Sequence, residues 1–327
     1  MIRYGIRHIT HFSYDAEISE SVMELRMQPA IEGTQQCLQF ELQVEPRARV
    51  FAYRDALGNA VHHFDLPGRH KGLTITARSL VQVDAPPSLP ASLPMETWQR
   101  VDAWAAAGED WEFLQPSRFA AWSEPLVAFA DSLGPIASRA HDPLTTVRQT
   151  MAAVHDAFEY VPQSTSVDSP IDEALSARRG VCQDFTHIML AILRRWHLPS
   201  RYVSGYIAPD ANVTSPDRSR ATSLATHAWV EVALPDLGWV GLDPTNNIDA
   251  GESHVRVATG RDYADVPPTR GVFKGGAGSE LSVAVAIAPA NVIPAPEPAS
   301  VETSWAAKAR LPLPADSVPR QQQQQQQ

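Results

Sequence analysis

The chain has 327 residues, of which 44% are hydrophobic, and it carries a net charge of −10. That length predicts two domains, while the acidic balance and the lack of a basic stripe argue against nucleic-acid binding. Two cysteines cannot form a disulfide framework and no run of about 18 apolar residues is present, so we expect a reducing, cytoplasmic location without membrane contact.

Residues 1–88 show the alternation that is typical of strands. Apolar residues at 38–44 and at 73–83 alternate with other residues, and a strict period of two means that one face of a sheet is buried. The segment RDALGN predicts a hairpin that turns at Gly58 and Asn59. We therefore expect an antiparallel β domain at residues 1–88.

A proline-rich linker, DAPPSLPASLP, follows this domain, and the period then changes to that of helices. Asp142 is a predicted N-cap, with Pro143 at the first helical position. Apolar residues then recur at helical spacing and predict one buried stripe: Leu144, Val147, Met151, Val154 and Phe158.

The remaining elements predict a second, mixed domain. The segment SPIDEALSARRG predicts a short helix that ends at Gly180, and an apolar helix begins at or next to Cys182. Three strands follow Pro199, the last two in THAWVEVAL and GWVGLDPT. The fold class is therefore α+β, with helices packed on an antiparallel sheet at residues 89–288. The tail at 289–327, rich in Pro, Ala and Gln, cannot bury a core of its own.

Cys182 lies where a nucleophile is favoured. It begins an apolar helical stripe, and the unsatisfied backbone N–H groups of a helix start favour a thiolate. The backbone amide of Cys182 could also face the oxyanion of an attacked carbonyl. The alternative is a small buried residue, since free cysteines are among the most buried residue types.

His227 and Asp243 lie on the non-core faces of two adjacent predicted strands. The short connection PDLG predicts a hairpin, and pairing Leu234 with Gly238 makes His227 and Asp243 diagonal neighbours on one face. Each residue alone could be a solvated surface group. Together with a cysteine at a helix start, they form the set of groups that a thiol acyl-transfer enzyme needs.

Other ionisable residues compete for these roles. His187 is expected to point roughly 140° away from Cys182 on the same helix and to pack or hydrogen-bond locally. Asp184 is expected to stabilise the first helical turn. A zinc site among His187, His227 and Asp243 is a weaker alternative, because no ligand spacing supports it.

The motifs GVCQDFTH, THAWVEV and GWVGLDPTN resemble the core of the transglutaminase-like superfamily, in its bacterial cysteine-protease-like branch. His227 lies 45 residues after Cys182 and Asp243 lies 16 after His227, which fits that core. The first domain resembles the β-rich N-terminal domain of the same branch. The resemblance implies a papain-like fold in which Cys182 is the nucleophile, His227 the general base and then acid, and Asp243 the group that orients His227.

The resemblance also adds candidates for the oxyanion hole and cleft. Tyr160 lies 22 residues before Cys182, where the superfamily often has an aromatic residue, although an ordinary core tyrosine is an equal alternative. Gln183 and Trp229 are further candidates. Animal transglutaminases with this core need calcium, but no acidic loop of the EF-hand type is visible here, so we expect activity without a metal or cofactor.

We therefore expect a thiol-dependent amide hydrolase or acyl transferase that acts on a protein or peptide through a thioester. Two alternatives stay open: a non-catalytic peptide-binding module on the same fold, and a true protein cross-linking transglutaminase. The polar segment 209–226, which leads to His227, is either a specificity element beside the site or a neutral insertion.

Overall fold

The computed structural model of the protein describes residues 1–134, 136–208 and 226–295, together with the backbone of residues 307–310 and 320–323. Within these residues the chain forms two large antiparallel sheets, one short parallel pair of strands and five α-helices. The expected α+β class is confirmed. No helix in this part of the chain is long and apolar enough to cross a membrane.

The first sheet is built on two strands of 24 residues each. Its first four strands are β1 (Ile2–Leu25), β2 (Gln35–Glu45), β3 (Phe51–Arg54) and β4 (Ala60–Val83). β4 pairs with β1 on one edge and with β2 and β3 on the other. The predicted hairpin is confirmed: Gly58 has φ of 81°, in the left-handed region that favours glycine, and the Asp55 carboxylate accepts from the backbone N–H of Asn59.

The alternation predicted for β2 is only partly present. Val44 is buried, but Leu38 is 40% exposed. The pairing of β2 with β4 shifts register between Cys37 and Gln39 and leaves Leu38 out. A bulge changes the direction of the side chains around it. The apolar side chain at position 38 therefore does not point into the core as the alternation predicts.

Two strands near the end of the described chain return to the first sheet. β12 (Thr269–Lys274) and β13 (Ser279–Pro289) both pair with β1. The backbone of β14 (Ala307–Arg310) pairs with β13, and that of β15 (Arg320–Gln323) pairs with β12. The first sheet is therefore not confined to residues 1–88, and it takes in strands that the sequence analysis assigned to the second domain and to the tail.

The helices and two short strands lie between the sheets in the chain. They are α1 (Thr97–Ala107), α2 (Glu124–Ser132), α3 (Pro143–Ala157), β5 (Glu159–Tyr160), α4 (Ile171–Ala177), β6 (Arg179–Gly180) and α5 (Cys182–Arg195). The predicted start of α3 is confirmed, since the Asp142 carboxylate accepts from the backbone N–H groups of Leu144 and Thr145. All five residues of its predicted stripe are buried.

The second sheet carries the candidate site. Its order is β10–β9–β8–β7–β11, and its strands are β7 (Ser200–Ile207), β8 (Thr226–Leu234), β9 (Gly238–Asp243), β10 (Ile248–Asp249) and β11 (His254–Gly260). The predicted hairpin register is confirmed, because Leu234 pairs with Gly238 and Val230 with Leu242. α5 packs against β7 and β8.

The two sheets are joined by buried polar contacts. His8 of β1 hydrogen-bonds to the Tyr206 hydroxyl of β7, with 2.8 Å between the ring nitrogen and the oxygen. Glu231 of β8 forms ion pairs with Arg201 and Arg256, and Arg201 also reaches Glu32, which precedes β2. The face of β8 that was predicted to be wet is therefore covered by the first sheet and its connections.

Candidate active site

Cys182 is the first residue of α5, as predicted. The preceding helix α4 ends at Ala177, and Arg178 takes the left-handed conformation with φ of 54°. The prediction that this helix ends at Gly180 is wrong, because Gly180 instead lies in β6, which pairs in parallel with β5. This short pairing aligns the chain immediately before Cys182.

Asp184 holds the start of α5. Its carboxylate accepts a hydrogen bond of 2.8 Å from the backbone N–H of Val181 and one of 2.6 Å from the Thr165 hydroxyl. The predicted role of Asp184 in stabilising the first turn is confirmed by these bonds. They satisfy a backbone donor at the helix entry, and the amide groups of the first turn beside Cys182 stay ordered.

Tyr160 is placed near Cys182 by the β5–β6 pair. Tyr160 pairs with Gly180, two residues before the cysteine. Burial, and then the charge that the Cys182 sulfur would carry, raise the pKa of Tyr160 far above its usual range, so its hydroxyl is protonated at neutral pH. A neutral phenol beside the sulfur is a hydrogen-bond donor, as an oxyanion would require.

Gln183 is buried, and its side-chain amide is bonded elsewhere instead of being free to donate to an oxyanion. Its side-chain amide donates to the Val167 carbonyl at 3.0 Å, and its own oxygen has no hydrogen-bond partner among the described residues. The side chain therefore ties α5 to the segment that precedes α4. Its amide N–H is already engaged in one bond, which leaves Tyr160 as the better placed candidate.

His227 connects the thiol to a carboxylate. Its Nε2 lies 2.7 Å from Asp243 Oδ2, and the Cys182 sulfur is near enough to the ring to help raise the pKa of His227. The sequence predicted that Cys182, His227 and Asp243 would meet, and the structure brings all three together. One imidazole nitrogen faces the carboxylate, which leaves the other for the sulfur.

His227 and Asp243 form a buried charge pair. Burial disfavours the imidazolium, but the adjacent Asp243 carboxylate outweighs it and raises the pKa of His227 to about 10. Burial likewise disfavours the carboxylate, but His227 and then His254 hold the pKa of Asp243 well below its usual range. The pair is therefore an imidazolium and a carboxylate at neutral pH.

Two residues beyond the predicted set also bind Asp243. His254 Nε2 lies 3.2 Å from Asp243 Oδ2, and the Asn246 side-chain amide donates to the same oxygen at 2.7 Å. The backbone N–H groups of Thr245 and Asn246 donate to Oδ1. Neither residue was predicted from the sequence to belong to the site. The Asn that follows DPT was a usable signal, whereas His254 carries none that is local to the motif.

His227, Asp243 and His254 offer three metal-ligating atoms within 4.8 Å of one another. The hydrogen bonds argue against a metal there. The backbone N–H of Gly251 can only donate, and it donates to His254 Nδ1, whereas a metal-bound histidine carries a proton on the nitrogen opposite the metal. His187, the third residue of the weaker zinc alternative, is not part of the cluster.

His187 packs locally, as predicted. Its Nε2 accepts a hydrogen bond from the backbone N–H of Tyr263, and its ring stacks on Phe119 with 5.5 Å between ring centres. Burial lowers the pKa of His187 to about 4, with Asp262 and Arg194 acting in opposite directions. It is a neutral core residue at neutral pH.

Trp229 lies beside the imidazole of His227. The two ring planes are 26° apart with 6.3 Å between centres, and the indole also meets His254 edge-on at 5.2 Å. A Cβ on Gly205 would come within 2.5 Å of the indole, so this neighbouring strand needs a residue without a side chain. Trp229 is 1% exposed, and it therefore forms a buried wall behind the histidine.

The expectation that His227 and Asp243 lie on a wet face is wrong, since they are 1% and 0% exposed. That face is covered because the first sheet packs against it, which period-two alternation cannot reveal. Cys182 is 5% exposed. Burial strengthens each hydrogen bond and charge interaction within the group. The segment 209–226 falls outside the described residues except for Thr226.

Two family models match this chain. The transglutaminase-like superfamily matches residues 131–244, and the bacterial transglutaminase-like N-terminal region matches residues 4–82. An uncharacterized protein of Mycobacterium leprae is 32% identical over 285 residues, which are 86% of this chain and 97% of that protein. The segment 131–244, which matches the transglutaminase-like superfamily, contains Cys182, His227 and Asp243.

Two further comparisons concern a named enzyme and a solved structure. The protein-glutamine gamma-glutamyltransferase of Pseudomonas aeruginosa is 29% identical over 120 residues, which are 35% of this chain and 18% of that protein. The crystal structure of a putative cysteine protease from Cytophaga hutchinsonii covers 99% of this chain and 98% of its own, with a TM-score of 0.66 and 18% identity. That likeness shows a shared fold.

Proposed function

Because the chain belongs to the transglutaminase-like superfamily, we propose that it is a thiol-dependent enzyme that opens amide bonds in a protein or peptide through a thioester. The observation that carries the proposal is the grouping of three residues: Cys182 begins α5 next to His227, and His227 is bonded to Asp243 at 2.7 Å. Burying an imidazolium and a carboxylate costs desolvation free energy. Such perturbed groups cluster at functional sites, and activation of a cysteine nucleophile accounts for them here.

The first half of the reaction forms the thioester. The Cys182 thiolate attacks the amide carbon, and the carbonyl electrons move to oxygen. The Cys182 backbone N–H and the Tyr160 hydroxyl are the donors proposed to stabilise this oxyanion. As the tetrahedral intermediate collapses, His227 gives its proton to the leaving nitrogen, and an amine departs.

The second half reverses the direction of proton transfer. Neutral His227 takes a proton from an incoming nucleophile, which attacks the thioester carbonyl and releases the Cys182 thiolate. Asp243 keeps the imidazole in one tautomer and stabilises it when it is again protonated. Water as the nucleophile gives hydrolysis, and a primary amine gives transfer.

Transfer to an amine is the second candidate, because the Pseudomonas relative is named a protein-glutamine gamma-glutamyltransferase. Cys182, His227 and Asp243 would serve both outcomes, since the partition depends only on which nucleophile reaches the thioester. The two candidates differ in the mass of the product, and one experiment separates them.

The test incubates the full chain with a peptide library that contains glutamine, with and without a primary amine, and measures product masses. Chain cleavage indicates a peptidase, loss of ammonia with gain of the amine indicates transfer, and a gain of about 1 Da indicates deamidation. Cys182→Ala should abolish every product, while the matched variant Cys37→Ser should retain them. Products that persist in Cys182→Ala would refute the proposal.

A further inference from the structure

We propose that His254 is a positioning residue, which holds the Asp243 carboxylate toward His227. Hydrogen bonds from the first sheet and its connections to the backbone of β11 keep His254 in place. The inference rests on the proposed function, since it assigns a role within the same reaction. It adds a fourth side chain to the three that the sequence motifs indicate. It also means that the first sheet supports the site by fixing the strand that begins at His254.

The tautomer of His254 is determined by its neighbours. Its Nδ1 lies 3.2 Å from the backbone nitrogen of Gly251, which can only donate, and 3.3 Å from Ser253 Oγ, whose hydroxyl can donate too. Nδ1 must therefore carry a lone pair. The ring proton is therefore on Nε2, which donates to Asp243 Oδ2 at 3.2 Å. His254 thus works as a fixed donor to the carboxylate.

This donor helps to determine which way Asp243 Oδ2 points. Oδ1 is held by two backbone N–H groups of the turn that follows β9. Oδ2 accepts from His227, and it is steadied from other directions by the Asn246 amide and His254. A carboxylate with all its acceptor positions in use has little freedom to rotate, so His227 keeps one ring orientation toward Cys182.

Packing holds the His254 ring in its position beside Asp243. The ring is 5% exposed and meets the Trp229 indole edge-on, while Trp229 stacks on His227. The ionisable groups near His254 are Asp243 and His227, together with the ion pair that Glu231 of β8 forms with Arg256 of β11. Glu231 also pairs with Arg201, and both arginines pair with Glu32, so two carboxylates and two guanidinium groups balance in this network.

Two side chains of the first sheet and its connections bind the backbone of β11. Gln35 donates its side-chain amide to the Arg256 carbonyl and accepts from the Arg256 N–H, both at 2.8 Å. Asn59 forms the same two-way contact with the backbone of Thr259. β11 is an edge strand of the second sheet, so these contacts satisfy part of its open edge and fix the strand that begins at His254.

The test measures how fast iodoacetamide alkylates Cys182 between pH 4 and 9, read by peptide mass spectrometry to separate it from Cys37. In the wild type we expect alkylation well below pH 7. His254→Leu removes the donor, and we expect about a 10-fold slower rate at pH 6 with the acid limb moved up by about 1 unit. His254→Gln, which can still donate to Asp243, should recover most of the rate.

Controls separate positioning from general damage. His11→Gln changes an exposed histidine of β1 and should leave the profile unchanged. His254→Asn keeps a buried amide that is too short to reach Asp243, so it should behave like His254→Leu and serves in its place if that variant does not fold. Nitrogen-15 NMR of labelled histidine in the wild type should show His254 protonated at Nε2 and not at Nδ1.

The outcomes distinguish this inference from the proposed function. If wild-type Cys182 shows no reactivity below pH 7, the proposed function itself fails. If the wild type reacts there and both His254→Leu and His254→Asn match it, His254 has no positioning role. A proton on Nδ1 of His254 in the wild type would also overturn the inference, because the ring could not then donate from Nε2.

Discussion

Gly180 lies against the side chain of Asp184, so closely that a Cβ on the glycine would come within 2.8 Å of both Asp184 Cβ and Oδ2. The glycine is needed here for space and not for an unusual backbone angle. Its contact allows the Asp184 carboxylate to accept from the Val181 N–H and to cap the helix that begins at Cys182.

Gly180→Ala should therefore loosen the start of α5. We expect a loss of roughly 1–3 kcal/mol in the free energy of unfolding, because the added methyl group displaces the capping carboxylate. Denaturant unfolding measures it. Gly276→Ala is the matched control, since nothing lies within 4 Å of its Cβ position. Equal stability of the two variants would contradict the role given to this contact.

Asp243→Asn should remove the charge that holds His227 protonated. We expect kcat to fall on the order of 10³-fold to 10⁴-fold, because a neutral amide neither stabilises the imidazolium nor selects the tautomer. A kinetic assay with the substrate found in the library experiment measures it. Activity within about 10-fold of the wild type would show that the carboxylate is not needed.

The same variant should change stability at alkaline pH. The pKa of His227 is raised from 6.5 to about 10 in the folded chain, so its contribution is fully present below pH 6.5 and is lost as the pH rises toward 10. Asp243→Asn removes this contribution. Its loss of unfolding free energy relative to the wild type should therefore shrink between pH 6 and 10, as denaturant titrations at the two pH values would show.

Acid should destabilise the protein through two buried neutral histidines. Burial lowers the pKa of His8 to about 3 and that of His187 to about 4. Below pH 6.5 the unfolded chain binds protons at these rings that the folded chain does not, so stability falls as the pH falls. Each ring contributes about 1.4 kcal/mol per pH unit in that window.

His8→Asn tests this acid dependence. The amide can keep a hydrogen bond to Tyr206, which the wild-type ring makes at 2.8 Å, but it does not titrate. Its unfolding free energy should fall less steeply between pH 6 and 5 than that of the wild type. His11→Asn, a change at an exposed histidine, provides the matched control. Parallel curves for His8→Asn and the wild type would contradict the prediction.

Tyr160→Phe should lower kcat by between about 10-fold and 100-fold, because it removes one proposed oxyanion donor and keeps the ring that packs against the core. The alkylation rate of Cys182 should stay unchanged, since that reaction forms no oxyanion. Tyr53→Phe removes an exposed hydroxyl in β3 and serves as the control. An unchanged kcat would make Tyr160 an ordinary core residue.

Gln35→Leu should loosen the attachment of β11 to the first sheet. It removes two bonds to the Arg256 backbone and one to the Ala30 carbonyl, and it leaves the partly buried Arg256 N–H without this acceptor, at a cost of roughly 2–3 kcal/mol in unfolding free energy. Hydrogen exchange of the β11 amides should become faster. The adjacent, exposed Gln36→Leu should change neither quantity, and a similar effect in both variants would argue against a specific grip.

Local pattern was sufficient to predict the three residues that meet at the site. Cys182 begins a helix whose apolar spacing is visible in the sequence. The short turn after Leu234 places His227 and Asp243 on one face, and the structure has the register that was assumed. Parity, turn length and helix starts are short-range properties, which the sequence encodes within a few residues.

The burial of these residues and the presence of His254 were decided by tertiary structure. β11 follows β9 and β10 in the chain but pairs with β7, on the far side of the sheet, so no local pattern predicts that His254 reaches Asp243. The polar face of β8 is covered by a sheet that takes strands from both ends of the described chain. The sequence determined which groups could react, whereas long-range strand pairing determined how they are buried and held.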